Sequence, residues 1–505
     1  MPKGQFKRKS GVINDGLDRQ FEYPAIVFDL LDTAELKRMG KIIQNGFSQI
    51  AYPQMTHTRK VHLIGTSRNA LIMLRNGLRM GPAKINGEYE NLVAATAICH
   101  DIGHSPFSHD IENLISEYSG MDHEAVSAAL IAGDLSLVDF YSQIPEGVLP
   151  PGLKRARIRK WEQMNTIPDV LRAYGVSPDT VAEIIDGSRA GDTPLISDYH
   201  FLREIIDGKI IDADKFDYLQ RDPNMSGIDE TRFKPTGIMS DIGIVQDHDG
   251  HHIAIADTSI PMVNQMLGTR EYMYTNCYTH KTALRAQAMV YEATKRFLHS
   301  IQDELQREAF GKSIQLLDEE QFESLLTSRD LPIVEELLET AVWDRQEMHR
   351  YAFEVQYSDV PLPTAKQDTE EGRLLDKLFE INTREKDGES FIRDLILARV
   401  NAGATSLEDH DIIVYFPYPR QRRTLESCKE KFSLHVYNHR DPSLVYNINS
   451  YMQESNTNTD SRVESLFSTY CRHQTSRYFT VLASPGNEKI VHEATVETMN
   501  DLLNQ

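Results

Sequence analysis

The segment that most constrains this chain is a run of small and apolar residues that leads directly into a cluster of histidines. The run predicts a buried helix, and its members are Leu92, Val93, Ala95, Thr96, Ile98 and Cys99. Such a helix carries His100 and Asp101 into the protein interior. A buried imidazole beside a buried carboxylate needs a partner, and a divalent cation that accepts nitrogen and oxygen ligands is the simplest one.

Residues after this pair predict that the helix ends and a turn begins. Gly103 and Pro106 are helix-stopping residues, so we expect His104 and His109 on a turn that faces the same cavity. The alternative is a surface histidine beside a helix-capping acid, which is the usual interpretation of an isolated His-Asp pair. The apolar flank and the concentration of six of the 18 histidines between positions 57 and 123 favour the buried site.

Length and composition are those of a large globular protein. With 505 residues, 40% hydrophobic and 26% charged, the chain is expected to form one large domain and a smaller lobe. No apolar window predicts a membrane span, no secretory signal is recognised, and four scattered cysteines fit a reducing cytoplasm. The net charge of -21 argues against a nucleic-acid-binding surface, so positive charge for a polyphosphate substrate must be local.

A capping box predicts the first helix. Asp32 at the N-cap and Glu35 at the third helical position start it, and Gly46 ends it. Gln44 and Asn45 then lie near its end.

Two more helices are predicted around the histidine cluster. One follows His62, with an apolar face that runs from Leu63 to Leu78. The other is capped by Asp122, begins at His123 and ends at Gly133.

Two charged segments follow. The basic run from Lys154 to Lys160 is either a solvated helix face, which we favour, or a contact for an anion or nucleic acid. The second segment, from Ile210 to Asp222, carries four acids, and its spacing places Asp214 and Tyr218 on one helix face. A cation on one side and phosphates on the other would account for these acids.

Five motifs occur in order along the chain: Arg59-x-x-His62; His100-Asp101-x-x-His104; Pro106-Phe107-Ser108-His109; His123-Glu124; and Asp212-Ala213-Asp214-Lys215-Phe216-Asp217-Tyr218 with Arg221-Asp222. Together they resemble the HD-domain deoxynucleoside triphosphate triphosphohydrolases. The branch with SAM-and-HD-domain enzymes and their bacterial dGTPase-like relatives is the nearest. The resemblance extends from Asn14 to about Lys281 and implies a mostly α fold, with an HD-domain helical core and a smaller α+β C-terminal lobe.

The resemblance also implies roles for individual residues. The implied metal ligands are His62, His100, Asp101 and Asp214. The implied catalytic residues, around the bond that breaks, are His104, His109, Glu112 and His123. The implied triphosphate contacts are Arg59, Lys215, Tyr218 and Arg270. The implied sugar contacts are Gln44, Asp222 and Tyr278.

Cofactor, reaction and partners follow from the same resemblance. It implies a divalent transition metal (Fe, Mn or Zn), and leaves an additional Mg²⁺ open. The implied reaction releases a deoxynucleoside and inorganic triphosphate, in nucleotide-pool control or in anti-phage dNTP depletion. The expected partners are a dNTP substrate, a nucleotide allosteric effector and further copies of the chain in a dimer, tetramer or hexamer. Nucleic-acid binding stays open, and the expected location is cytoplasmic, with no membrane contact.

The chain departs from the vertebrate pattern at two places. Asp32 keeps the acid of the guanine-activator site, but Lys37 and Gly40 replace the Gln and Arg that complete it. Near the sugar, Thr279 replaces a Gln and Asn45 replaces a Leu. No SAM domain is recognised. The sequence therefore predicts neither the base preference nor the identity of an activator.

Three units are predicted along the chain: a basic disordered tail at 1–12, an HD-domain phosphohydrolase core at 13–356, and an α+β lobe for assembly or regulation at 373–505. An exposed connection, 357–372, joins the last two. Strands are expected at 412–416 and 478–482, and a flexible loop at 453–461.

Two alternative functions remain. One is another HD-superfamily phosphohydrolase, such as a nucleotidase or a phosphodiesterase. The other is a catalytically silent nucleotide sensor that uses the same pocket. The complete set of metal ligands and His109 favour an enzyme.

Overall fold

The computed structural model describes residues 3–6, 9–17, 20–81, 83, 88–144, 149, 151–190, 200–228, 233–342, 347–358, 370–384, 387–416, 431–449, 461–474 and 476–504. Within these residues the fold is mostly helical, with three small sheets. The implied fold class, a helical HD core with a smaller α+β lobe, is confirmed.

Among the described residues up to Ser226 there are thirteen α-helices, of which α4 is the longest. They are α1 (Ala25–Leu30), α2 (Ala34–Arg38), α3 (Ser48–Ala51), α4 (Arg59–Met80), α5 (Glu90–Cys99), α6 (Glu112–Ser119), α7 (His123–Ala132), α8 (Leu137–Gln143), α9 (Pro151–Trp161), α10 (Ile167–Ala173), α11 (Pro178–Ile185), α12 (His200–Ile206) and α13 (Ala213–Ser226).

The remaining helices are α14 (Thr236–Ser240), α15 (Ile260–Met273), α16 (Lys281–His299), α17 (Glu304–Ile314), α18 (Glu319–Leu326), α19 (Pro332–Val342), α20 (Glu370–Arg384), α21 (Gly388–Asn401), α22 (Ser461–Gln474) and α23 (Glu488–Asn504). A π-helical segment, Tyr274–Tyr278, continues α15.

Nine strands are present in the described residues: β1 (Gly11–Ile13), β2 (Phe21–Tyr23), β3 (Ile242–Asp247), β4 (Gly250–Ala256), β5 (Arg350–Ser358), β6 (Ile412–Tyr415), β7 (His435–Tyr437), β8 (Val445–Asn447) and β9 (Ser476–Ala483). They form a β1-β2 hairpin, a β3-β4-β7-β8 sheet and a β5-β9-β6 sheet. All pairs are antiparallel except β4 with β7.

Helix α4 is central because it packs against both α5 and α13. The helix predicted after His62 is found, but it begins three residues earlier, at Arg59. Its apolar face is buried as predicted and includes Leu63, Leu71 and Leu74. Gly65 permits the close approach of α13, because a Cβ atom there would collide with the Asp217 carboxylate and the Arg221 guanidinium.

Other predicted helix signals are also confirmed. Every residue of α5 from Val93 to Cys99 is buried. Asp122 caps α7 by accepting a hydrogen bond from the Ala125 amide, and Gly133 ends that helix in a left-handed conformation.

The capping box at Asp32 is wrong. Thr33 is the N-cap of α2 and accepts a hydrogen bond from the Leu36 amide, and the helix ends at Arg38. A short 3-10 turn follows, after which Ile43 forms an antiparallel bridge with Thr58. This pairing holds the backbone extended where the sequence predicted helix.

Several predictions fall partly outside the described residues. The connection at 357–372 is described only at its ends, which belong to β5 and α20, and the loop at 453–461 only at its last residue. Residues 11 and 12 of the predicted tail already belong to β1, and the amide of Gly4 donates to Asn165. The domain boundaries stay predictions.

No described helix is by itself both long and apolar enough to cross a membrane. Two consecutive helices, His123–Ala132 and Leu137–Gln143, are together long and apolar enough to do so, but they are bent by 114° relative to each other.

Candidate metal centre and substrate cavity

Three helices bring the four implied metal ligands together. His62 lies in the first turn of α4, His100 and Asp101 directly follow α5, and Asp214 lies in the first turn of α13. Oδ1 of Asp214 is 2.9 Å from His62 Nε2 and 3.8 Å from His100 Nε2. The carboxylate of Asp101 is 3.9 Å from His62 Nε2 and 3.5 Å from His100 Nε2.

Both histidines have their second ring nitrogen fixed by a hydrogen-bond acceptor. Nδ1 of His62 donates to Asp217 Oδ2 over 2.9 Å, and Nδ1 of His100 donates to the Ala97 carbonyl over 2.8 Å. Each neutral ring therefore keeps its lone pair on Nε2, the atom that faces the carboxylates of Asp101 and Asp214. Histidines that bind metals are usually oriented in this way.

The charges at this cluster favour a cation. Although burial opposes a positive charge, the carboxylates of Asp214 and Asp217 raise the pKa of His62 to about 10. Within the described chain, the buried Nε2 of His100 makes no hydrogen bond. Donor atoms of His62, His100 and Asp214 lie within 4.8 Å of one another, and such a ligand set fits a divalent transition metal. The Asp101 carboxylate adjoins this group and is also paired with Arg59.

A second group of side chains adjoins the first. The rings of His104 and His123 stack with centroids 3.9 Å apart, and the His109 ring lies edge-on to His104 at 4.5 Å. Glu112 joins the group, since its carboxylate accepts from His109 Nδ1 over 2.8 Å and from His123 Nδ1. The four implied catalytic residues are thus brought together.

The turn between His104 and His109 has an unusual backbone. Phe107 and Ser108 have φ angles of 57° and 59°, a conformation that costs about 1–3 kcal/mol for each non-glycine residue. Stacking of Phe107 on Phe47, with centroids 4.4 Å apart, helps to hold it. The turn reverses the chain immediately before His109.

The two stacked imidazoles, His104 and His123, have pKa values that are shifted in opposite directions. Burial and the nearby Arg59 guanidinium hold the pKa of His104 well below its usual range. Although burial also opposes charge on His123, the Glu112 carboxylate raises the pKa of His123 to about 9. At neutral pH one ring is neutral and its neighbour is charged.

A cavity of about 280 Å³ opens beside both clusters. Its lining includes Asp101, Asp214, His109, His123, Arg59, Tyr218, Gln44, Asn45, Asp222 and Tyr278. Three of these have buried polar atoms without a hydrogen-bond partner among the described residues: Gln44 Oε1, Asn45 Nδ2 and Arg59 Nη2. Such atoms indicate a polar ligand, because unpaired buried polar groups are costly.

Two implied triphosphate contacts do not line the cavity. The Lys215 ammonium binds the Asp212 carboxylate and, over 2.8 Å, the Gly208 carbonyl. Arg270 donates from Nε to the Tyr218 hydroxyl over 3.0 Å. Their contact with substrate stays a prediction.

In the same cavity lining, Asp222 is buried between two partners. Its carboxylate accepts from the Tyr278 hydroxyl over 2.6 Å and contacts His57 Nε2 at 2.9 Å. Asp222 and Tyr278 are the implied sugar contacts, and the structure brings them together with Gln44 in one cavity.

Several residues without a predicted role support this site. Asp217 accepts a hydrogen bond from His62, and His57 contacts the Asp222 carboxylate. Arg221 binds Asp217, and Asp110 lines the cavity. Burial raises the pKa of Asp110 to about 7. Of these residues, only Asp217 could have been found from the sequence, because it lies one helical turn after the implied ligand Asp214.

Comparisons with known proteins agree with these observations. The HD domain family matches residues 62–146, a range that contains three of the four implied metal ligands and ends before Asp214. The chain is 25% identical to the uncharacterised protein YwfO of Bacillus subtilis over 267 residues, which cover 52% of this chain and 50% of that protein.

Named enzymes are also among the similar proteins. The chain is 25% identical to the deoxynucleoside triphosphate triphosphohydrolase SAMHD1 of Xenopus laevis, with 56% of this chain and 44% of that protein covered. It is 22% identical to the Gallus gallus protein of the same name, with 84% of this chain and 69% of that protein covered. The chain spans about half the length of most of these curated relatives. It therefore contains an HD domain and, as its motifs predict, resembles the HD-domain deoxynucleoside triphosphate triphosphohydrolases.

Proposed function

We propose that this protein is a metal-dependent phosphohydrolase that cleaves deoxynucleoside triphosphates to deoxynucleoside and inorganic triphosphate. The observation that carries the proposal is the orientation of His62 and His100. Each ring donates from Nδ1 to a fixed acceptor, so that both Nε2 atoms face the carboxylates of Asp101 and Asp214 beside a polar cavity.

The metal would be held by His62, His100, Asp101 and Asp214. Iron, manganese and zinc all accept imidazole and carboxylate ligands. When bound, such an ion polarises a phosphoryl oxygen and activates water.

Arg59 is proposed to bind the phosphate chain. Its side chain is 1% exposed and is held by Asp101 and, over 2.8 Å, by the Ser108 hydroxyl. Its remaining nitrogen, Nη2, makes no hydrogen bond in the described structure, and Arg59 lines the cavity. This supports Arg59 as a fixed positive charge for phosphate in a protein whose net charge is -21.

Tyr218 and Arg270 are proposed to act as a pair. The Tyr218 hydroxyl accepts from Arg270, so its own proton is available to a phosphate oxygen at the cavity wall. Lys215 would reach the phosphates only by leaving Asp212.

His109 is the proposed proton donor. Glu112 fixes its Nδ1, and its half-exposed ring lines the cavity. When the bond between the α-phosphorus and the 5′ oxygen breaks, that oxygen needs a proton, which His109 can supply. The products are then a deoxynucleoside and an intact triphosphate.

The sugar is proposed to lie against Asp222 and Tyr278. Buried Asp222 can accept from a 3′ hydroxyl, and the Tyr278 ring supplies bulk near C2′. The nucleotide effector and the homo-oligomer implied by the resemblance stay predictions.

Phosphorus NMR of turnover with the four dNTPs tests the proposal. We expect inorganic triphosphate as the phosphorus product, and none from an Asp101→Ala preparation, which controls for contaminating phosphatases. Monophosphate or pyrophosphate as the main product would favour another HD-superfamily phosphohydrolase. Tight dNTP binding without any product would favour a nucleotide sensor.

A further inference from the structure

The β3-β4-β7-β8 sheet has two different faces. Ile253 and Ile255 of β4 point into a large apolar core. Ala254 and Ala256 pack on the other face with Val245 and Tyr437. Because side chains alternate along a strand, His252 lies on this second face.

The parallel pairing of β4 with β7 brings a second histidine beside it. Ala254 pairs with His435, so His435 is a neighbour of His252 on the same face. The two imidazole rings stack with centroids 4.4 Å apart, and the His200 ring also stacks with His252, at 5.4 Å. Three histidines from α12, β4 and β7 therefore form one column.

Two carboxylates converge on this column. Glu204 of α12 has Oε1 at 2.8 Å from His252 Nδ1. Asp247, the last residue of β3, has Oδ2 at 2.9 Å from His435 Nε2 and Oδ1 at 3.2 Å from His252 Nε2. One donor atom each from Glu204, His252 and His435 can be chosen so that all lie within 4.8 Å of one another.

Burial makes this arrangement costly without a further partner. His252 is 9% exposed and His435 is 7% exposed. Nε2 of His252 forms no hydrogen bond in the described residues, despite the nearby Asp247 carboxylate. The cluster lines a cavity of about 780 Å³, so a small ion has space to enter.

We propose that Glu204, His252 and His435 form a second metal site for a zinc-like divalent transition metal. Two imidazole nitrogens and one carboxylate oxygen are a ligand set that zinc accepts, and water would complete a tetrahedral site. Asp247 is not counted as a ligand of the same ion, because Glu204 faces Nδ1 of His252 whereas Asp247 faces Nε2. The Asp247 carboxylate instead adds negative charge beside the site.

The site has a structural consequence. Its ligands come from α12, β4 and β7, so a bound ion would cross-link the segment around 435 to elements that are far away in the sequence. Metal binding to the folded state alone stabilises that state. The proposal is independent of the proposed dNTP hydrolysis.

Zinc binding to metal-stripped protein tests the site. In an Asp101→Ala background, which removes a ligand of the first centre, we expect about one zinc per chain by elemental analysis and a rise in Tm on adding Zn²⁺. Substituting Co²⁺ should give the intense visible absorption of a tetrahedral site.

Two variants in that background decide the ligands. His252→Ala with His435→Ala should abolish zinc binding, the Tm rise and the Co²⁺ band, and Glu204→Gln, which keeps the fold with a smaller change, should weaken all three. His248→Ala is the matched control, since His248 is 86% exposed on the adjoining turn. Zinc binding that survives the His252 and His435 changes, or is lost with His248, would overturn the proposal.

Discussion

His62 donates its Nδ1 proton to Asp217 over 2.9 Å, and both side chains are fully buried. Arg221 binds both oxygens of the same carboxylate at 2.8 Å and donates to the Asp15 carbonyl at 2.9 Å. Although burial opposes ionisation, Arg221 and His62 hold the pKa of Asp217 well below its usual range. Asp217 is therefore a permanent anion that fixes the orientation and basicity of a proposed metal ligand.

Asp217→Asn should weaken metal binding at the first centre by about 10- to 100-fold, because an amide holds the imidazole less firmly and adds no negative charge. Competition with a chelator measures the change. Asp134→Asn, a change at an exposed ion pair with Arg189, is the control and should bind metal normally. An unchanged affinity in a folded Asp217→Asn protein would remove Asp217 from the metal site.

Asp101→Ala should lose one metal equivalent per chain, because the remaining His62, His100 and Asp214 would leave the ion with fewer ligands. Elemental analysis of purified protein measures the loss. Glu124→Gln is a suitable control, since Glu124 lines the same cavity but is not an implied ligand. If Asp101→Ala keeps the full wild-type complement, the ligand assignment is wrong.

His109→Ala should retain metal and dNTP binding and lose turnover by about 10² to 10⁴, the usual contribution of a general acid. Calorimetric binding and steady-state kinetics on the same preparation separate the two effects. Rates close to wild type would exclude His109 from the mechanism. A loss of bound metal would instead make His109 a structural part of the metal centre.

The ion pair between His123 and Glu112 should make stability depend on pH. The pKa of His123 is about 9 in the folded protein against 6.5 ordinarily, so its stabilisation is complete below pH 6.5 and lost as the pH rises through 9. The shift corresponds to at most about 3 kcal/mol.

Thermal unfolding of Glu112→Gln measures this pH dependence. The difference in Tm between wild type and Glu112→Gln should be largest near about pH 6.5 and should shrink by about pH 9.5. A difference that does not change with pH would show that the carboxylate does not set the charge of His123.

Selection against ribonucleotides is expected to depend on Tyr278, whose ring would leave no room for a 2′ hydroxyl. The ratio of kcat/KM for dGTP over GTP should exceed one in wild type and fall in Tyr278→Ala. Tyr278→Phe keeps the ring but loses the hydrogen bond to Asp222, so its ratio should stay near wild type. Equal wild-type values would refute a deoxy gate, and an unchanged ratio in Tyr278→Ala would show that Tyr278 is not the gate.

The Asn45 amide could weaken this discrimination, because it can offer a 2′ hydroxyl a partner where a leucine would offer a clash. Asn45→Leu should therefore raise the dGTP preference. An unchanged or lower preference would show that the Asn45 amide does not form a hydrogen bond with the 2′ hydroxyl.

Local features of the sequence were sufficient to predict several elements. The apolar helix before His100, the Asp122 cap and the Gly133 stop depend on residues within a few positions of one another, and all three are found. The motifs that resemble the HD-domain family also lie in short segments, so the candidate residues could be named before their positions were known.

Contacts between distant segments were decided only by the tertiary structure. The bridge between Ile43 and Thr58 replaced a predicted helix, and the binding of Lys215 to Asp212 turned that side chain away from the cavity. His62 and Asp217, 155 residues apart, meet because α13 packs closely on α4 at Gly65. His252 and His435 are neighbours only because β4 and β7 pair in parallel. Such contacts depend on how whole helices and strands bury their apolar faces against each other, and local spacing does not encode that packing.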